Sequence, residues 1–231
     1  MAELISVPEA AEALELSPAR VRLLAANGDL PAVKVGGRWL VERRGLEHRR
    51  RRGSAGGRPF APRNAWAVLG LASGGEVADI EPVVRSRLRR ALSLEGLGAL
   101  APRLERRAAM SRYSAHRGEI AHVLADDRLV ATGISAVGAV GLDLVSGGEV
   151  DGYIRASVSD DFVEEHALSR AGEGEENVTL RVVPDEAWAD FLDGEPYAPK
   201  AAVALDLVED ADPRSRAAGR DLIRRLDRAA R

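Results

Sequence analysis

Hydrophobic and polar positions change their period several times along the 231 residues. Near the N-terminus Ala10, Ala11 and Leu14 recur at helical spacing behind Ser6-Val7-Pro8-Glu9. That tetrapeptide is a capping box: the Ser6 hydroxyl accepts from the Glu9 amide and the Glu9 carboxylate reaches back to the Ser6 amide. A second helix opens with Ser17 as N-cap and Pro18 at its first position, and runs ARVRLLAA to Asn27-Gly28, a left-handed stop. Val21, Leu24 and Ala25 face the first helix, which leaves Arg20 and Arg22 outside. The period then shortens to two. Val33 and Val35 alternate with Lys34, Gly36-Gly37 supplies a turn, and Arg38-Trp39-Leu40-Val41 returns. Two short helices followed by a β-ribbon predict a winged helix-turn-helix.

Beyond this module the pattern is mixed. Residues 63–72 read as an apolar helix, and residues 79–94 as an amphipathic one with Val84, Leu88 and Leu92 on one face and Arg85 and Arg89 beside it. Residues 128–133, 149–157 and 177–183 read as strands, the last ended by Pro184. Residues 134–145 read as a Gly/Ala-rich helix, DDFVEEHAL as a helix capped by Asp160, and residues 200–209 as a buried helix. A final amphipathic helix opens at Asp212-Pro213. The expected fold class is α+β: a winged helix-turn-helix over 1–52, a linker over 53–62, a basic helical connector over 63–117 and a small mixed α/β domain over 118–231.

Charge divides the chain along the same lines. Residues 1–60 carry eleven Lys/Arg against seven Asp/Glu, residues 61–117 ten against five, and residues 118–231 twelve against twenty-four. A basic first half and an acidic second half imply different partners. Cysteine is absent, which excludes disulfides, zinc fingers and thiol nucleophiles. MAELISVPEA has neither the basic nor the apolar region of a secretory signal, and the charge-free stretch from Leu129 to Leu142, 14 residues, is too short to span a bilayer. A cytoplasmic location without membrane contact is expected.

The spacing Ser6-Val7, Glu9-Ala10-Ala11, Leu14, Val21-Arg22, Leu24, Gly28, Leu30-Pro31-Ala32, Gly37-Arg38-Trp39, Val41 resembles the MerR/excisionase-type DNA-binding module over residues 4–48. The resemblance implies double-stranded DNA as partner. It places Ser17, Arg20 and Arg22 at the recognition helix and Lys34 and Arg38 on the wing. Arg43, Arg44 and the run Arg49–Arg52 are further candidates for the phosphate backbone. So is the arginine-rich stretch 85–117, whose residues fit either a second phosphate-contacting surface or exposed helix faces. A single module makes few base contacts, so a homodimer on an inverted repeat is expected.

The remainder is similar to AbiEi-type antitoxins in the order of its segments: RLVATGISA at 128–136, GGEVDGYIR at 147–155, ENVTLRVV at 176–183 and AVALDLVEDADPRSRAAG at 202–219. That resemblance implies an autorepressing transcriptional regulator that also neutralises a nucleotidyltransferase-type toxin. A ligand-responsive regulator, and an inhibitor acting through its acidic domain alone, are the alternatives.

Little in the sequence points to catalysis. No phosphate loop, dinucleotide fingerprint or zinc-protease motif occurs. His116 and His122 are spaced so that both cannot sit on one helical face, so no metal site is expected among His48, His116, His122 and His166. Ser146-Gly147-Gly148 before Asp151 is similar to the start of a nucleotidyltransferase motif, with Asp206 as a third carboxylate. Position 153, however, is Tyr where a second metal-binding carboxylate is needed. Neither an enzymatic activity nor a cofactor is expected.

Overall fold

The computed structural model describes residues 4–26, 30–43, 45–46, 58–77, 80–145, 147–171 and 174–230. The chain divides into two compact units, 1–54 and 55–231. The fold is α+β.

In the first unit, strand β1 (Leu4–Ser6) leads directly into helix α1 (Val7–Leu14). Helix α2 (Pro18–Ala26) follows, then strands β2 (Ala32–Val35) and β3 (Arg38–Glu42). The antiparallel sheet has the order β1-β3-β2, with Ile5 opposite Val41 and Ala32 opposite Val41 on the other side. Val7, Ala10, Ala11, Val21, Leu24, Leu30, Val41 and Leu46 close a small core between the helices and one sheet face. At three residues, β1 is too short to leave a period in the sequence.

The second unit opens with helices α3 (Pro62–Ala72), α4 (Pro82–Glu95) and the single turn α5 (Leu97–Leu100). A 3-10 segment (Ala101–Arg107) leads to strand β4 (Ala109–Ser114). Then come α6 (Ile120–Ala125), β5 (Val130–Ala131), β6 (Val150–Arg155), α7 (Ser159–Glu165), β7 (Ser169–Arg170), β8 (Val178–Val183), α8 (Asp185–Phe191), α9 (Lys200–Glu209) and α10 (Pro213–Ala229). The sheet order is β5-β6-β8-β4-β7, parallel between β6 and β8 and antiparallel elsewhere.

Strand alternation sorts this sheet into two buried faces. Val150, Ile154, Val178 and Leu180 join Val123, Leu129 and Phe162 on one side. Tyr153 and Val183 join a larger core on the other, built from α3, α4, α9 and α10 around Trp66, Leu88, Leu97, Val203 and Leu222. Helix α9 is buried from Ala201 to Leu207.

Three expectations are corrected. Residues 63–117 are not a separate helical connector: β4 lies within this sheet, paired to β8 and β7, and α3 and α4 share a core with α9 and α10. Pairing with β8 overrides the helical reading. Residues 134–145 form no long helix. A 3-10 turn over Gly133–Ala136 gives way to turns, and Gly141 takes a φ of 68°, outside the helical region. Asp160 is not the cap of α7; Val158 holds that position, and Asp160 and Asp161 lie in the first turn, where carboxylates complement the helix dipole. Asn27-Gly28, Arg44, His48, the Arg49–Arg52 run and Ser146 lie outside the described residues.

Candidate nucleic-acid interface

The two short helices are held by local hydrogen bonds that their sequences dictate. The Ser6 amide and hydroxyl both donate to Glu9 Oε2, at 2.8 and 2.7 Å, and the Glu9 amide donates to Ser6 Oγ at 3.4 Å. These bonds, with a smaller contribution from the charge of Arg43, hold the Glu9 carboxyl below its ordinary value. Helix α1 ends at Glu15, a non-glycine residue in the left-handed region with φ 54°. The turn closes with the Leu16 amide donating to Ala11 O at 2.9 Å. Ser17 Oγ then accepts from the Arg20 amide at 3.3 Å, and Pro18 opens α2.

Helix α2 buries Val21, Leu24 and Ala25. With 100° per residue, Arg20 and Arg22 flank that buried stripe on opposite sides, and both are exposed. The position pointing straight out is Leu23, 48% exposed. Its apolar side chain stands at the crest of the second helix. The residue carries no charge or motif, and helical geometry alone identifies it.

The ribbon turns through Gly36 and Gly37, with φ of 55° and 81°. Two consecutive positive φ values make the two-residue turn that fits strand twist. Lys34 lies opposite Trp39, its Nζ 5.8 Å from the ring centroid, and Val35 lies opposite Arg38. Cross-strand partners share a face, so Lys34 and Arg38 leave the tip on opposite faces of the ribbon. Arg38 shares its face with Val33 and Val35, which are 41% and 57% exposed. Arg43 is exposed just beyond β3. Among the described residues, Arg20, Arg22, Lys34 and Arg38 form no ion pair with a carboxylate.

Residues 4–54 match a family model described as a helix-turn-helix domain. The match supports DNA as a partner and a DNA-binding regulator as the role of the chain. No curated protein and no solved structure matches the chain. The helix-turn-helix domain thus joins the outward flanks of α2, the β2–β3 wing and the cation after β3 in one unit. Among the described residues no helix is long and apolar enough to cross a membrane.

In the second unit, Asp151 and Asp206, the carboxylates weighed for metal chemistry, are engaged by arginine. Arg181 donates to both oxygens of Asp151, at 2.8 and 3.0 Å. Asp206 takes Arg107 Nη2 at 2.7 Å and the Thr132 hydroxyl at 2.6 Å, with Arg181 Nη1 at 3.1 Å. Glu209 bridges the same two guanidinium groups at 2.8 Å each, and Arg107 Nε donates to Tyr153 Oη at 3.1 Å. Burial pulls both arginines toward lower values, but the surrounding carboxylates more than offset it and hold them charged. Burial also raises Asp151 and Tyr153, against the pull of the arginines. Arg107, read from sequence as one of several surface cations, is in fact at the centre of this network. Among the described residues no group of His, Asp and Glu could hold a metal ion.

Proposed function

We propose that the protein is an autorepressing transcriptional regulator of the cytoplasm, acting on double-stranded DNA as a homodimer at an inverted repeat. The observation carrying this reading is the outward face of the helix-turn-helix domain: Arg20, Leu23 and Arg22 across α2, and Lys34 and Arg38 on either side of the wing. Helix α2 enters the major groove, with Ser17 and the flanking arginines at its edges. Lys34 and Arg38 reach the phosphates on either side of the ribbon. Arg43 and Arg44 add charge beyond it.

Fluorescence anisotropy on the DNA upstream of the gene tests the reading. Arg22→Ala is expected to narrow the gap between that sequence and a scrambled duplex. Lys34→Ala weakens binding to both alike and lowers the salt slope by about 0.9, one phosphate contact. Unchanged affinity in both variants rejects it.

The finer reading is an antitoxin whose second unit neutralises a nucleotidyltransferase-type toxin without catalysis of its own. Its support is the order of the segments from 128 to 219 and the twofold excess of acidic over basic residues in 118–231. An acidic surface complements a toxin that handles nucleic acid. The commitment of Asp151 and Asp206 to arginine supports a non-enzymatic role. Co-expression with the neighbouring gene product is the test: a stable complex and relief of its toxicity support the reading, and neither effect refutes it.

A further inference from the structure

We infer that helix α4 is a second phosphate-binding surface, which adds contacts to DNA already held by the helix-turn-helix domain. This rests on the reading of the chain as a DNA-binding regulator and extends it to the second unit. Between Glu81 and Glu95 the helix carries no carboxylate but has four arginines, Arg85, Arg87, Arg89 and Arg90. Leu88 and Leu92 turn inward to the core. Arg87, Arg89 and Arg90 are exposed, as are Ser86 and Ser93.

Other arginines of the same unit divide: Arg106, Arg117, Arg220, Arg225 and Arg228 form no ion pair among the described residues either, but several others do. Arg63 pairs with Asp190, Arg103 with Glu95, Arg128 with Asp126 and Glu165, and Arg155 with Asp193. The α4 arginines form no such pair among the described residues, although the unit around them is rich in acid. Three guanidinium groups and two hydroxyls along the exposed arc of the helix can all donate, as phosphate oxygens require.

Val83 and Leu94, 70% and 74% exposed at the two ends of the helix, are what a protein partner would use. The donors between them favour phosphate, and so does the covalent link to a DNA-binding domain.

The test uses the full chain, a fluorescein-labelled duplex of thirty base pairs and random sequence, and anisotropy across a salt series. R87Q/R89Q/R90Q, chosen because Gln keeps helix propensity, is expected to lower the slope of log affinity against log salt by about 2 to 3, near 0.9 per contact. R87K/R89K/R90K is expected to restore most of it, which separates charge from fold. K34Q/R38Q is expected to lower the slope independently by about 2. A slope for R87Q/R89Q/R90Q equal to that of the unmodified chain overturns the inference. A slope lowered by the α4 variant but not by K34Q/R38Q upholds α4 and rejects the wing.

Discussion

Two guanidinium groups, Arg107 and Arg181, face three carboxylates inside the second unit, and the side chain of Arg107 is only 2% exposed. A buried ion network of this kind does not guarantee stability, because desolvation offsets much of the attraction. Removing one partner is a different matter. Arg107→Met removes one guanidinium from Asp206 and Glu209 and takes the hydrogen bond from Tyr153. Urea unfolding is expected to show a loss of about 3–5 kcal/mol. The wing tip makes a contrasting case, since Gly37 at φ 81° meets open space and only its backbone matters. Gly37→Val forces a β-branched residue into the left-handed region, at about 1–2 kcal/mol. Affinity for DNA is expected to fall in anisotropy while the thermal transition of the second unit stays in place.

Elements held by local chemistry were legible in the sequence, and those held by distant partners were not. Ser6 and Glu9 lie three residues apart and determine each other, as do Ser17 and the start of α2. The Gly36-Gly37 hairpin likewise needs only its own neighbours. Strand β4 depends on β8, with Ser111 opposite Leu180, nearly seventy residues away in sequence. Nothing within PRLERRAAMSRYSAHR announces that pairing, so its arginines suggested a surface helix. A longer separation, 99 and 102 residues, hid Arg107, whose partners Asp206 and Glu209 sit on α9. The candidate interface was more legible because its cations are set by helix and strand periods. Even so, the opposite faces of Lys34 and Arg38 required the register. Packing between α9 and α10 gives a test at this level. A Cβ on Gly219 would stand 2.7 Å from Ala204 O and 2.9 Å from Leu207 Cβ. Gly219→Ala therefore pushes the two helices apart, and a loss of about 1–3 kcal/mol is expected in thermal unfolding.

One histidine and its surroundings give the stability of the second unit a pH dependence. His166 sits at the end of α7 with Nδ1 2.8 Å from Glu119 and Nε2 3.0 Å from Asp126. Asp126 is also held by Arg128, which reaches Glu165, and Glu119 is approached by His122 at 3.5 Å. Partial burial works against the charged ring, but both carboxylates favour it and raise His166 above its ordinary value. The Arg128 and His166 hydrogen bonds lower Asp126, and the His166 hydrogen bond lowers Glu119. A raised histidine stabilises the fold fully below its unfolded value of about 6.5, and that contribution is lost as pH rises through the folded value. Lowered carboxyls stabilise above their unfolded values of about 4, and their contribution is lost as pH falls. Stability should therefore be greatest from about pH 5 to 6.5 and decline on the alkaline side well before lysines or tyrosines titrate. His166→Gln removes the ionisable ring and should flatten that alkaline decline in urea midpoints measured from pH 6 to 9. The acid limb persists in weaker form, because Arg128 still holds Asp126. An alkaline decline of the same size in His166→Gln would place its origin elsewhere in the chain.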